Sequence, residues 1–303
     1  MRFARTIAAT GMLALSVLAG TARADWRKTY PELTFAVVPA ENADGVLQRY
    51  EPMMAYMTKE LGVPVKLRVV NDYAAVIEGL RTEQVHYAHL GPSAYARAQI
   101  VTKGGVEPMV TAVNSEGVVG YYSVLYVRAN DAAQKLDDLK GRNLCLVDPN
   151  SASGNNVPRH AMDKRGIDPE NFFAKVVYSG SHENAVIALQ QGTCDGAFNW
   201  WNTEIESNLQ RMAAKKMVKP EDFRIVFKSD LIPGSPTVVI AGAPAGMKAA
   251  IRQALMDAPV KGRDAFLRLS DGKATGYAAV KADDYKVMIE LVEFVDRMRK
   301  KAK

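Results

Sequence analysis

The stretch Leu144-Cys145-Leu146-Val147-Asp148-Pro149-Asn150-Ser151-Ala152-Ser153-Gly154-Asn155-Asn156 decides how the chain is read. Its first four residues form an apolar run of strand length, and Val157 to Arg165 reads as helical, with Pro158 tolerated in the first turn. Between them lie a proline, small hydroxyl residues and a glycine, the composition of a tight strand-to-helix loop. Open α/β sheets bind ligands at such loops, outside the carboxyl ends of their strands. Backbone N–H groups at a helix start lack intrahelical acceptors and favour an anion. Ser151 and Ser153 would add hydroxyl donors. The same residue types also cap helices in turns, so the segment alone leaves both readings open.

Working outward, strand and helix patterns alternate on both sides. Downstream come a strand at Ala174 to Tyr178, a helix at Glu183 to Gln191 and a strand at Asp195 to Phe198. Upstream, Leu33 to Val38, Val65 to Val70 and Val85 to Leu90 read as strands. Helices at about Asp44 to Leu61 and Tyr73 to Arg81 separate them; in the first, Val46, Tyr50, Met53, Met57 and Leu61 recur at spacings of three and four. Alternation of this kind predicts βαβ units and mainly parallel sheets, in two α/β lobes. A faint echo between Val76-Ile77 with Leu80 and Val186-Ile187 with Leu189 supports two similar lobes. Tyr121 to Val127 and Thr237 to Ile240 are read as strands crossing between them. The lobes are then residues 25–120 plus 236–303, and 121–235. Helices at Ala249 to Asp257 and Tyr285 to Met298 return to the first lobe, and two crossings make a hinge suited to closing on a ligand.

Composition bounds the rest. The chain has 303 residues, 48% of them apolar, 39 Lys plus Arg against 33 Asp plus Glu, and two cysteines. That excludes a disordered chain, a collagen-like repeat and a small disulfide-stapled fold. Residues 1–24 have Arg2 and Arg5, an apolar run from Ile7 to Leu18, and Thr21-Ala22-Arg23-Ala24 before Asp25, the layout of a secretory signal peptide. The run is too short for a spanning helix. Cleavage would remove three arginines and no acid, leaving 36 basic against 33 acidic residues, about +3 instead of +6. A soluble exported protein of the periplasm is therefore expected, and the weak charge gives no reason to expect nucleic acid as a partner. The basic end from Arg297 to Lys303 is read as a solvated C-terminus. Cys145 and Cys194 are compatible with a disulfide or with two buried thiols.

Four segments at strand ends or lobe junctions converge on the expected cleft: Asp72-Tyr73, Gly120-Tyr121-Tyr122-Ser123, the Ser151 loop and Ser181-His182-Glu183. With their neighbours they carry a resemblance. Asp72-Tyr73-Ala74-Ala75-Val76-Ile77-Glu78-Gly79-Leu80-Arg81, Gly120 to Leu125, Asp148 to Gly154, Ser181-His182-Glu183-Asn184-Ala185 and Leu231-Ile232-Pro233-Gly234-Ser235-Pro236 resemble motifs of the phosphonate and phosphite ABC-transporter substrate-binding proteins. The likeness runs in order from about residue 33 to 290.

This resemblance implies an α/β, two-lobed periplasmic binding protein of the type II, Venus-flytrap form, with two hinge crossover strands. It implies capture of a phosphonate, phosphite or related phosphorus oxyanion between the lobes and delivery to an ABC permease in the inner membrane, by a monomer without cofactor. Carried over by position, Tyr73 and Tyr121 offer hydroxyls from the first lobe. Ser151, the backbone N–H groups of Ala152 and Ser153, and the Ser153 hydroxyl hold the oxyanion from the second, with His182 as a further donor. The family usually shows Ser-Thr-Ser-Gly where this chain has Ser151-Ala152-Ser153-Gly154, so one hydroxyl is missing. Members resembling aminoethylphosphonate binders carry acids where Asn202 and Ser235 stand in the tail pocket. Both are neutral here, although Glu204 lies two residues from Asn202. Weak or no preference for an aminoalkyl tail follows.

Rival chemistry has less support. His86 and His89 are three apart on a strand and point to opposite faces, the cysteines lack zinc spacing, and no phosphate-binding glycine motif is present. Ser153, His182 and Asp195 lack a nucleophile elbow, so no catalytic residue and no metal is expected. A binding protein for a sulfonate or carboxylate, and less readily a hydrolase on the same fold, are the alternatives.

Overall fold

Two mixed sheets organise residues 25–301, the part of the chain described by this computed structural model. The expected signal peptide, residues 1–24, lies outside the described residues, as do residues 302–303. The first passage of the chain gives β1 (Leu33–Val37), α1 (Ala43–Leu61), β2 (Val65–Arg68), α2 (Tyr73–Arg81), β3 (Tyr87–His89), α3 (Pro92–Thr102) and β4 (Val106–Val113). The second gives β5 (Tyr122–Arg128), β6 (Asn143–Leu146), α4 (Val157–Asp163), α5 (Pro169–Phe172), β7 (Lys175–Tyr178), α6 (His182–Gln190), β8 (Gly196–Thr203), β9 (Glu206–Ser207), α7 (Asn208–Ala214) and β10 (Phe223–Lys228). The return gives β11 (Pro236–Ile240), α8 (Ala245–Lys261), α9 (Arg263–Leu269), β12 (Gly276–Ala279) and α10 (Lys286–Lys301).

The first sheet has the order β12-β4-β11-β3-β1-β2, the second β10-β5-β8-β6-β7, with β9 on β8. β1 runs parallel to β2 and β3, and β6 parallel to β7 and β8. β11 and β5 are antiparallel to both their neighbours. Each lobe thus has a three-strand parallel core, then an antiparallel strand, β11 from the return passage in the first lobe and β5 from the start of the second passage in the second lobe. The two members of the sequence echo, α2 with β3 and α6 with β8, hold equivalent places.

The segments read as crossing strands are these antiparallel insertions, seated inside the sheets. The crossing itself is shorter. Tyr121 N donates to Ile232 O at 3.0 Å and Ile232 N to Tyr121 O at 2.8 Å, so the two connections pair at the hinge. Gly120 makes that approach feasible: its φ is +155°, and a Cβ there would lie 2.8 Å from Ile232 O.

Leu33, Met53, Met57, Leu61 and Leu80 are buried in the first lobe, and Leu125, Leu144, Leu146 and Phe198 form a separate cluster in the second. The basic end continues α10 to Lys301, and that helix is anchored to α3 by Arg97 and Asp296 at 2.7 Å through both nitrogens. No helix among the described residues is long and apolar enough to cross a membrane.

Cys145 on β6 and Cys194 just before β8 are joined in a disulfide, with Cα atoms 5.7 Å apart. Adjacent parallel strands place side by side two residues 49 apart in sequence. Closing a loop of that size removes denatured-state entropy equivalent to about 4 kcal/mol in the chain-entropy model. Replacing both cysteines by alanine should lower the urea midpoint by an amount equivalent to about 2–4 kcal/mol. An unchanged midpoint would refute a stabilising role for the bridge.

Candidate functional site

The loop after β6 is built by its own side chains. Asp148 Oδ1 accepts from Asn150 N at 2.7 Å, and the side-chain amides of Asn155 and Asn156 both donate to Pro149 O, at 2.9 and 3.0 Å. Val147 N donates to Gly154 O at 2.9 Å, drawing the loop back against its strand. Residues 152–156 form a wide helical turn in which Asn156 N donates to Ser151 O at 3.0 Å, and α4 continues it. Such turns recur at functional positions in helices. Ser151 is the cap of this turn, its Oγ accepting from Gly154 N at 3.0 Å. Its own O–H stays available, so the cap role and a ligand role are compatible. The N–H groups of Ala152 and Ser153, at the start of the turn, have no intrahelical acceptor and lie on the wall of the cleft.

The opposite wall comes from the first lobe and the hinge. Asp72 caps α2 by accepting from Ala75 N at 2.7 Å, which sets Tyr73 as the first helical residue. Tyr73 and Tyr121 line the cavity together with Ser151, Ser153 and Ser235. Burial pushes both phenols far above their usual pKa, so each remains an O–H donor.

His182 opens α6, capped by Ser181, whose Oγ accepts from Asn184 N at 3.1 Å. Its Nδ1 lies 3.0 Å from Asn199 Oδ1, while Asn199 Nδ2 donates to His182 O at 2.9 Å. That amide orientation assigns the ring proton to Nδ1 and leaves Nε2 a lone pair. Burial pushes the pKa down to about 3; the Asn199 bond opposes this and the charge of Arg211 adds to it. The resemblance implies a donor here, but the hydrogen-bearing nitrogen is already spent on Asn199.

Tyr73, Tyr121, Ser151, Ala152, Ser153, His182, Asn202 and Ser235 all line one cavity of about 510 Å³ between the lobes. Glu204, weighed as a tail-pocket acid, is exposed on the β8–β9 hairpin and does not line it. Glu206 does, because the hairpin turns its carboxylate inward, where Oε1 accepts from Asn202 Nδ2 at 2.7 Å and Oε2 from Ser115 Oγ at 3.0 Å. Arg211 also lines the cavity, its guanidinium 5.0 Å from the Trp200 ring and its Nε 2.8 Å from Asp271 Oδ2. Sequence reading missed both residues. Asp195 pairs with Arg128 and Arg142 at 2.9 and 3.0 Å, and the His182 ring faces an amide, so the residues of the hydrolytic alternative do not assemble. Among the described residues no group of three His, Cys, Asp or Glu side chains is placed to hold a metal.

Beside the cavity a chain of charges joins the lobes. Lys215 Nζ contacts Glu41 Oε2 at 2.5 Å and Glu183 Oε1 at 2.6 Å. Arg49 Nε donates to Glu41 Oε1 at 2.6 Å, and Asn42 N to Glu183 Oε2 at 3.0 Å. Glu183 follows His182 directly, so this clasp also fixes the start of α6.

Comparison with known proteins identifies the architecture. The family described as "ABC transporter, phosphonate, periplasmic substrate-binding protein" matches residues 35–285. The chain belongs to this family. A relative in the family, the phosphonates-binding periplasmic protein of Escherichia coli (strain K12), is 30% identical over 237 residues, covering 77% of this chain and 67% of that one. The phosphate-import protein of Mycolicibacterium smegmatis is 32% identical over 215 residues, 68% of this chain and 65% of its own length. The chain thus spans about two thirds of these curated relatives. The crystal structure of a binding-protein component of an ABC phosphonate transporter from Pseudomonas aeruginosa superposes with a TM-score of 0.78, at 26% identity, covering 88% of this chain and 87% of that one. The family description is that of a substrate-binding protein of a transporter, and the two-lobed fold expected from the sequence is the one observed.

Proposed function

We propose that this family member is a monomeric, soluble periplasmic protein, formed by cleavage after residue 24, that captures a phosphorus oxyanion and delivers it to an ABC permease. Its lobes are residues 25–120 with 236–303, and 121–235. The observation carrying this reading is a cleft that combines neutral donors from both lobes with one buried acceptor. Tyr73, Tyr121, Ser151, Ser153 and the N–H groups of Ala152 and Ser153 suit the unprotonated oxygens. His182 Nε2 suits the O–H of a singly protonated phosphonate, phosphite or phosphate. A sulfonate has no proton to offer there and would face that lone pair with an oxygen lone pair, which costs affinity. A phosphonate and a phosphate are respectively named for the Escherichia coli and Mycolicibacterium relatives, which is in keeping with this ligand class.

Calorimetry with phosphite, phosphate, methylphosphonate, aminoethylphosphonate, sulfate and methanesulfonate tests the proposal. At least one of the first three should bind, and the sulfur anions should bind at least about tenfold more weakly. Raising the pH through the ligand's second pKa removes the proton that His182 accepts, so affinity should fall, by up to about tenfold per unit. Burial keeps the His182 ring neutral, its pKa pushed down to about 3, so it adds no change between pH 5 and 7. Absence of heat with every phosphorus ligand refutes the proposal, and sulfate binding as tight as phosphate refutes the role given to His182.

A further inference from the structure

The cavity continues past the oxyanion cradle into the first lobe. Its inner part lies between the sheet, represented by Phe35 on β1, Tyr87 on β3 and Tyr277 on β12, and the helices, represented by Met53 on α1, Leu255 on α8 and Phe266 on α9. A cavity of about 510 Å³ falls in the ~300–1,000 Å³ range that encloses drug-sized ligands, several times what a five-atom oxyanion fills. Protein interiors leave few voids larger than a water molecule, because an unfilled apolar space forfeits packing contacts.

A second observation singles out the same place. The Tyr87 hydroxyl, on a side chain with no exposed surface, has no hydrogen-bond partner. Leaving a buried O–H unpaired is costly, and this one belongs to a residue on the cavity wall. Glu206 and Lys273 also line the cavity, but the two arginines that border the chamber are neutralised within its wall. Arg49 and Arg211 both pair with Asp271, at 2.5 and 2.8 Å.

We propose that this chamber is a tail subsite, and that the preferred ligand is a phosphonate or phosphate monoester bearing an aromatic or branched apolar group with a hydrogen-bond acceptor for Tyr87. The inference rests on the cradle binding a phosphorus oxyanion. The methionine and aromatic walls adapt to such a group, and the cradle fixes its polar end.

Calorimetry with methyl-, propyl- and phenylphosphonate tests it. Each buried methylene strengthens binding about fourfold, so propylphosphonate should bind roughly fifteenfold, and phenylphosphonate roughly thirtyfold, more tightly than methylphosphonate. Ala274, a buried residue of the cavity wall, gives a way to fill the chamber. In Ala274→Phe, or in Ala274→Leu should the larger ring prevent folding, the phenyl-to-methyl ratio should collapse towards one. A ratio near one in the unaltered protein, or one that survives both substitutions, overturns the tail subsite. Silence from phosphite, phosphate and methylphosphonate, which do not reach the chamber, instead overturns the reading of the cradle, and the tail subsite falls with it.

Discussion

Gly154→Ala should weaken binding of the preferred phosphorus ligand at least a hundredfold. A Cβ at this position would lie 2.4 Å from both Cβ and Cγ2 of Val147 and 2.9 Å from Ser151 Oγ. Neither neighbour can yield cheaply. Val147 is fully buried and its N–H is tied to Gly154 O, and the Ser151 hydroxyl is the cap of the turn. The added methyl must therefore push the turn away from its strand, carrying the Ala152 and Ser153 N–H groups off target. Overpacking of this kind costs about 1–3 kcal/mol of stability. The binding loss is larger because several donors move together, and a hundredfold loss corresponds to about 2.7 kcal/mol. Gly180→Ala is the control, since a Cβ there meets nothing within 4 Å, although its φ of +81° brings modest strain. Calorimetry and thermal melts of both variants check the expectation. Binding by Gly154→Ala within threefold of the unaltered protein would show that the oxyanion sits elsewhere.

Residues close in sequence were the readable part of this site. The loop from Asp148 to Asn156 makes most of its side-chain hydrogen bonds within itself, so composition and position after a strand were enough to locate it. The caps at Asp72 and Ser181 are equally local. By contrast, α3 escaped notice because Pro92, Ala94, Tyr95, Ala96 and Ala98 are all buried. With only Arg97 partly exposed between Pro92 and Ala98, the first two turns present no polar face, and amphipathic periodicity is the signal by which helices are read. The tautomer of His182 depends on Asn199, in a strand the pattern could place but not orient. Glu206 reaches the cavity only because a hairpin reverses the chain after Thr203, and an acid two residues nearer looked the better candidate. The clasp is the extreme case: Lys215 and Glu41 are 174 positions apart and meet only when both lobes are folded and closed. The fold was legible because alternation repeats along the whole chain. The contacts between lobes were not, since no local pattern encodes them.

That clasp yields the second large effect. Lys215→Met should lower ligand affinity about thirtyfold or more at pH 7 and make the remaining affinity rise on acidification. The Glu41 and Glu183 side chains are only 3% and 2% exposed, and they approach from different lobes. Arg49 belongs to the same lobe as Glu41 and stays with it when the cleft opens; Lys215 is the cation between the two acids. Without it the closed state buries two facing carboxylates, whereas the open state hydrates them. Removing one partner of a buried ion pair costs about 3–5 kcal/mol, reduced here to about 2–3 because Lys215 is partly exposed. That cost falls on the closed, binding-competent state and appears directly in affinity. The pH dependence follows from sign. Burial pushes the Glu41 carboxyl up, but Arg49 foremost, then Arg211 and Lys215, outweigh it and hold the pKa down to about 2. In the unaltered protein this contribution is complete above about pH 4.5 and lost only as pH falls towards 2. In Lys215→Met, repulsion raises one carboxylate's pKa, so lowering the pH from 7 to 5 protonates it and eases closure, a gain in affinity beyond the one that protonation of the ligand gives the unaltered protein. Adding Glu183→Gln to Lys215→Met should restore most of the lost affinity by removing the second charge. Equal affinity of Lys215→Met and the unaltered protein at both pH values would show that the clasp does not hold the cleft closed.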